Sequence, residues 1–249
     1  MCNKIGCFYV NSFPRSGNTW VRSMLDIILK PNLIDVNPIF YNLFNIVCFS
    51  KIPKISTYDN ISKMTMIKSH GKYKTTIENI PIIYLVRDGR DAIISYYHFN
   101  VDHRGYTETF DKYFHRHVVT DKMNSYRERK LRKFMGDWSE NALSHLNKKN
   151  VLIVSYEELR REPVPYFEKM LEFIGADVDL KRIENALNLG QQKLIEKNTR
   201  HNRLRGASGN WIEKLTIEQQ NQFVNRHRRA LEEFGYSIAI SQSNCSNEL

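Results

Sequence analysis

The chain has 249 residues, of which 41% are hydrophobic and 26% charged, a globular composition long enough to bury a real core. Lysine and arginine number 37 against 27 acidic residues, a formal charge of +10 that favours anionic partners: nucleotides, nucleic acid, acidic glycans or a membrane surface. The 4 cysteines, Cys2, Cys7, Cys48 and Cys245, are scattered, which excludes a disulfide framework or a Cys-x-x-Cys metal pair and points to a reducing compartment.

The first apolar run, Ile5 to Val10, begins too early to leave room for a signal peptide and reads as a strand. Thr19 to Leu29 has a helical pattern. The stretch Ile39 to Phe49 is broken by Asn42 and Asn45 and falls short of the roughly 20 apolar residues of a spanning helix. It reads as a core helix or the wall of an acceptor pocket, and a cytoplasmic protein without a membrane span is expected. Further strands are expected at Met64 to Ile67, Ile82 to Val86 and Val151 to Val154; continuous apolar runs of this kind belong to a sheet covered on both faces.

Helices are expected over Asp88 to Tyr97, Tyr126 to Leu146, Pro163 to Ile174 and Ile217 to Phe234, the last opened by a capping box of Thr216 and Gln219. Gly190 to Trp211 has little periodicity and reads as a long functional loop. No linker or repeat divides the chain. Residues 1–240 are expected to form one α/β domain with a central parallel sheet flanked by helices, and 241–249 a disordered tail.

Chemistry concentrates between the first strand and the first helix, in Ser12-Phe-Pro-Arg-Ser-Gly-Asn-Thr-Trp20. A strand turning through Pro14 and Gly17 into a helix points backbone N–H groups and the positive end of the helix dipole at one spot, an anion cradle. Arg15 adds charge, and Ser16, Asn18 and Thr19 add donors. No Gly-x-x-x-x-Gly-Lys-[Ser/Thr] spacing is present, so this is not a Walker loop. Other informative segments are Lys68-Ser-His70 at the end of an apolar run, Arg87 with Ser95 beyond the run at 82–86, Tyr156 after the run at 151–154, and Arg205-Gly-Ala-Ser-Gly-Asn-Trp211.

In content and order these motifs resemble those of the PAPS-dependent sulfotransferases, from about Ile5 to Trp211. The resemblance implies a P-loop NTPase-like fold and transfer of a sulfuryl group from PAPS to an acceptor hydroxyl or amine, without a metal. It makes Arg15, Ser16, Gly17, Asn18 and Thr19 the 5′-phosphosulfate loop and Trp20 the aromatic that stacks on adenine. Arg87 and Ser95 correspond to the 3′-phosphate pair, Tyr156 to a tyrosine approaching the adenine, and Arg205 with Gly206 to the loop that closes over the 3′-phosphate. Two separate anion grips on one adenosine would discriminate against ATP, which lacks a partner for Arg87.

His70 corresponds to the general base; an imidazole with its ordinary pKa of ~6.5 suits proton removal near neutrality. Lys68 and Arg15 would stabilise charge on the bridging oxygen as its bond to sulfur breaks. The chain departs from the family in having Arg15 where many members have lysine. With a pKa above ~12 it cannot readily donate a proton, which leaves it an electrostatic role. The closing loop reads Leu204-Arg-Gly206 in place of a common Arg-Lys-Gly, with Arg203 as the candidate substitute. The Lys-x-x-x-Thr-Val-x-x-x-Glu dimer motif of many relatives is matched only at Thr216 and Ile217, with Ile212 and Asn221 at its charged ends, so no dimer is inferred.

Other features read as structural. His115 and His117 would not share a helix face and read as surface residues. Asp88 and Asp91 read as helix-start residues, and Arg127, Arg129, Lys130, Arg132 and Lys133 as a solvated face. Two rival functions stand beside sulfuryl transfer. A P-loop-like kinase or nucleotidase has against it the missing Gly-Lys-Ser/Thr and magnesium-binding acid. A basic nucleic-acid or glycan binder without catalysis lacks recognition motifs; nucleic acid is not an expected partner. The expected acceptor is a small molecule or glycan, selected by segments such as Leu33 to Tyr58 and His98 to Met123.

Overall fold

The computed structural model describes residues 6–29, 32–35, 64–196 and 208–241. Five parallel strands form one sheet: β1 (Cys7–Ser12), β2 (Asn32–Asp35), β3 (Thr65–Ser69), β4 (Ile82–Val86) and β5 (Val151–Ser155), in the spatial order β2-β3-β1-β4-β5. Parallel neighbours need crossovers, and helices supply several of them: α1 (Asn18–Leu29) follows β1, while α2 (Gly89–Arg104), α3 (Phe110–Phe114), α4 (Tyr126–Met135) and α5 (Trp138–Ser144) lie between β4 and β5. After β5 come α6 (Tyr156–Arg161), α7 (Pro163–Phe173), α8 (Leu180–Glu196), α9 (Trp211–Lys214) and α10 (Ile217–Glu233).

β4 shows why an unbroken apolar run belongs inside such a sheet. All of its residues are buried, Ile83 and Leu85 in a cluster with Val21, Met24, Leu25, Phe167 and Met170, and Ile82, Tyr84 and Val86 in another with Ala142. Alternate side chains thus enter opposite layers, as the two-residue period of a strand requires.

Register then brings four strand ends to one edge. Asn11 pairs with Ser69, Ser12 with Leu85, and Val86 with Ser155. The residues that follow, Phe13 to Gly17, His70, Arg87 and Tyr156, therefore emerge side by side. In open α/β sheets ligands bind outside the carboxyl ends of the strands, where the strand order reverses; here β3 and β4 flank β1.

The expected strands and the capping box at Thr216 and Gln219 are present, and the α/β class with a parallel sheet stands. Several expectations need correction. The pattern over Tyr126 to Leu146 is two helices: Gly136 ends α4 with φ +74°, and Asp137 opens α5 in a capping box with Glu140. Gly190 starts no loop but lies inside α8, because a β-carbon there would come within 2.0 Å of Met24 Cε on α1. Close helix packing selects that glycine.

The helix at Asp88 begins one residue later and runs on to Arg104, where Gly105 at φ +66° ends it. Strand β2 carries too short an apolar signal to have been expected. The stretch Ile39 to Phe49, the residues Arg203 to Gly206 and positions 242–249 lie outside the described residues.

His115 to Val119 is a π-helical turn that buries Arg116 and half-buries His117. Arg116 Nη1 donates to Glu128 Oε2 at 3.1 Å and its other nitrogens reach Glu108. Burial, with Arg116 adding, lowers His117 to a pKa of about 4. The surface reading therefore holds for His115, which is exposed, and fails for His117. Arg132 is half-buried between Asp121 (2.7 Å), Asp137 (3.3 Å) and Glu140, whereas Arg127, Arg129, Lys130 and Lys133 are exposed.

Candidate active site

The turn after β1 is built by two left-handed residues, Arg15 at φ 70° and Gly17 at φ 91°. For arginine that conformation costs roughly 1–2 kcal/mol, a strain found more often at functional sites than elsewhere. Gly17 is required for a second reason: a β-carbon there would lie 2.5 Å from Tyr156 Cδ2. Ser16 is fully buried and its Oγ has no hydrogen-bond partner. A buried hydroxyl left unpaired beside a helix N-terminus is suited to an anion's oxygens.

The arginines converge on this turn. Arg15 Nε donates to Ser95 Oγ at 3.1 Å, and its guanidinium lies 5.2 Å from the Phe99 ring centroid. Arg87 Nη1 donates to the Arg15 carbonyl at 3.0 Å, and its guanidinium lies 4.8 Å from the Tyr156 centroid. Burial, reinforced by Arg87, pulls Arg15 below its ordinary pKa. Two cations held this close in a partly buried site are suited to an anionic guest. Trp138 Nε1 fixes the Arg87 carbonyl at 3.0 Å.

Arg15, Gly17, Arg87, Ser95 and Tyr156 thus form one contiguous cluster. Asn18 is adjacent but its side chain serves the frame: Nδ2 donates to Val10 O at 3.1 Å and Ser12 Oγ at 3.3 Å, while Oδ1 accepts from Arg22. Thr19 is exposed. Trp20 packs its ring edge-on to Phe167 with centroids 6.2 Å apart and the Arg160 guanidinium 5.7 Å away.

His70 reaches the cluster from β3. Its Nδ1 is 2.9 Å from the Ser12 carbonyl, which only accepts, so Nδ1 carries a proton and the lone pair of the ring's neutral form lies on Nε2. Lys68 sits on β3 beside Val10 of β1 and Asp35 of β2.

A frame absent from the sequence reading steadies this histidine. Asn141 Nδ2 donates to His70 O at 3.0 Å and to Met135 O, and Tyr84 Oη donates to Asn141 Oδ1 at 2.8 Å. His145 Nδ1 donates to Asn141 O at 2.9 Å, which leaves Nε2 to accept from Asn11 Nδ2 at 2.9 Å. Burial lowers His145 to a pKa of about 4. His70, Tyr84 and Asn11 are 57 to 134 residues from their partners here, and no local signal could have linked them.

Asp91 lies in the first turn of α2, as expected, and it also reaches a distant segment. Its carboxylate accepts from Gly209 N at 2.7 Å and Trp211 N at 3.0 Å. Asp88 does cap α2, accepting from Arg90 N at 2.9 Å. Among the described residues no group of three or more His, Cys, Asp or Glu side chains is placed to hold a metal ion, and no helix is long and apolar enough to cross a membrane.

A family model described as the sulfotransferase domain matches residues 8–235. Flavonol 3-sulfotransferase of Flaveria bidentis is 26% identical over 84% of this chain and 77% of its own length. Sulfotransferase 1A1 of Bos taurus is 24% identical over 89% of this chain and 82% of its own. Among solved structures, mouse sulfotransferase SULT7A1 complexed with PAP superposes with a TM-score of 0.67 at 22% identity, covering 92% of this chain and 87% of that one. A retinol dehydratase in complex with retinol and PAP gives 0.61 at 13% identity, covering 92% and 82%. With a family model that spans residues 8–235, from the first strand to the last helix of the parallel-sheet domain, the chain belongs to the sulfotransferase family.

Proposed function

We propose that the protein transfers a sulfuryl group from PAPS to the hydroxyl or amine of a small-molecule acceptor. The cluster of Arg15, Ser95, Arg87, Tyr156 and Gly17 at the strand ends, with an unpaired buried Ser16 hydroxyl at its centre, carries this reading. PAPS supplies a sulfuryl group on a phosphate leaving group. Arg15, the Ser16 hydroxyl and the N–H groups from Gly17 to Thr19 hold the 5′ end; Arg87 and Ser95, with Arg205 and Gly206, hold the 3′-phosphate; Tyr156 and Trp20 border the adenine.

His70 is the general base. With Nδ1 tied to Ser12 O, its Nε2 lone pair takes the acceptor proton, and the Asn141 bond to its carbonyl keeps the ring placed as it does so. Arg15 and Lys68 stabilise the charge that develops on the leaving oxygen, and Arg15 keeps its own proton. These half-buried cations would do this without a metal. Relatives named for flavonol and luciferin, and a neighbour solved with retinol or androsterone, support a small hydroxyl-bearing acceptor over a glycan. The scattered cysteines support a reducing, cytoplasmic setting.

Incubation with sulfur-labelled PAPS and a panel of small phenols and alcohols tests the reading. Labelled product from the wild type, and its loss in His70→Ala, are expected; magnesium-dependent ATP turnover with no sulfuryl transfer would replace it with the kinase reading.

A further inference from the structure

A cavity of about 60 Å³ lies between α2, the π-helical turn, α4, α5 and α10, where a single water needs only ~15 Å³. Its walls are largely apolar: Phe13, Ile93, Val118, Leu131, Trp138 and Phe223. The charged groups among them are already engaged. Glu128 accepts from Arg116 at 3.1 Å and from Asn124 N at 2.7 Å, Asp137 accepts from Arg226 at 3.0 Å, and Arg132 donates to Asp121 at 2.7 Å. Arg104 donates to Tyr96 Oη at 3.2 Å, and His227 Nδ1 meets Ser139 Oγ at 2.8 Å.

Two buried atoms of this wall have no hydrogen-bond partner among the described residues, Asn100 Oδ1 and His117 Nε2. Asn100 is only 2% exposed. Both residues stand against Tyr113: Asn100 Nδ2 donates to its hydroxyl at 3.0 Å, and the His117 ring packs on its ring with centroids 4.2 Å apart. Burial keeps His117 uncharged at neutral pH. Unpaired polar atoms inside a fold are costly and rare, so this pair is suited to a guest that brings its own hydrogen-bonding group. A hydroxyl can donate to Asn100 Oδ1 and accept from the imidazole N–H. An ammonium finds no carboxylate left unpaired in the wall, and a carboxylate would turn an oxygen toward Asn100 Oδ1.

The same cavity reaches the proposed base. Phe13 follows Ser12, whose carbonyl is 2.9 Å from His70 Nδ1, and Met135, also in the wall, shares the Asn141 Nδ2 donor with the His70 carbonyl. We propose that the cavity is a subsite for the far end of the acceptor: it takes a short, uncharged arm ending in a hydroxyl, bound by Asn100 and His117, while the hydroxyl to be sulfated faces His70. The proposal rests on the transfer reading given above and narrows its acceptor to a molecule with two separated hydroxyl groups.

Calorimetry with PAP present tests it, using 4-alkylphenols of increasing arm length beside their ω-hydroxy and ω-ammonium analogues. At the best arm length the terminal hydroxyl should raise wild-type affinity about tenfold over the methyl-ended phenol, and the ammonium should give no gain. Asn100→Leu and, separately, His117→Phe should each cut that ratio to about threefold or less. Sulfation from PAPS should show the same change in KM, with kcat steady. Equal affinity for the end groups at every length would leave the cavity to water and overturn the subsite; so would tighter binding of the ammonium, or a hydroxyl preference that survives both substitutions. A wild type that neither binds nor sulfates any of the phenols would instead remove the transfer reading, and the subsite with it.

Discussion

The candidate cradle and the proposed base are built in opposite ways. The cradle is a local object: Arg15 and Gly17, two residues apart, take left-handed conformations, and the helix they open supplies the donors. The proposed base, His70, is held by long-range contacts. His70 is fixed by Ser12, 58 residues away, and by Asn141, 71 away, and that frame closes through an Asn11–His145 bond spanning 134 residues. A single insertion could abolish the first, whereas the second fails only if distant elements dock wrongly. Anion binding and proton removal should therefore be separable by mutation.

The largest expected separation is at the base. His70→Ala should lower kcat by about 10²-fold or more while the Kd for PAP stays within about twofold, which steady-state kinetics and calorimetry read independently. Parallel loss of both would place His70 in donor binding. Next comes the cradle. Gly17→Ala forces a β-carbon to 2.5 Å from Tyr156 in a left-handed backbone, and PAP affinity should fall by about tenfold to a hundredfold, an energy of about 1.4–3 kcal/mol. Unchanged affinity would show that the turn is not the anion site.

A third change attacks the frame. Asn141→Leu leaves the Tyr84 hydroxyl and the His70 and Met135 carbonyls without their buried partner, so stability should drop by about 2–3 kcal/mol in urea unfolding. The surviving folded protein should lose kcat more than PAP affinity. Equal effects on both would mean that the frame supports the whole site.

Acid acts on the same side at a finer scale. His145 has a pKa of about 4 in the fold against an ordinary ~6.5, so the unfolded chain takes up the proton first. Its contribution is complete above pH ~6.5 and is lost as pH falls toward 4, at up to about 1.4 kcal/mol per pH unit. His117 and His227, also lowered to about 4, act in the same direction. Urea midpoints at pH 7 and 5 should show the drop, and His145→Gln should reduce it. An equally steep loss in that variant would remove His145 from the account.

This division explains what could be read in the sequence. Strand β4 announces itself by composition, the cradle by its Pro-Arg-Ser-Gly spacing, and His70 by standing at the end of an apolar run. Each is a local signal. The break at Gly136–Asp137 was also legible, as a helix-ending glycine followed by an Asp-x-x-Glu box, yet the apolar period running across it masked the stop. Gly190 misled for the opposite reason, since its neighbour Met24 lies on another helix.

The burial of Arg116 and His117 depends on Glu108 and Glu128, and the roles of Asn141, His145 and Asp91 depend on partners 57 to 134 residues away. Tertiary docking decides these, and residue spacing along one chain does not encode it.

The central claim, a donor site with two anion grips, is tested most directly by the thermal shift with PAP, AMP and ATP. At a hundred times its dissociation constant PAP should stabilise the fold by about 2.7 kcal/mol, a rise in Tm of about 5–10 °C for a domain of this size, with much smaller shifts from AMP and ATP at the same concentration. Equal shifts from all three would contradict the two-grip site.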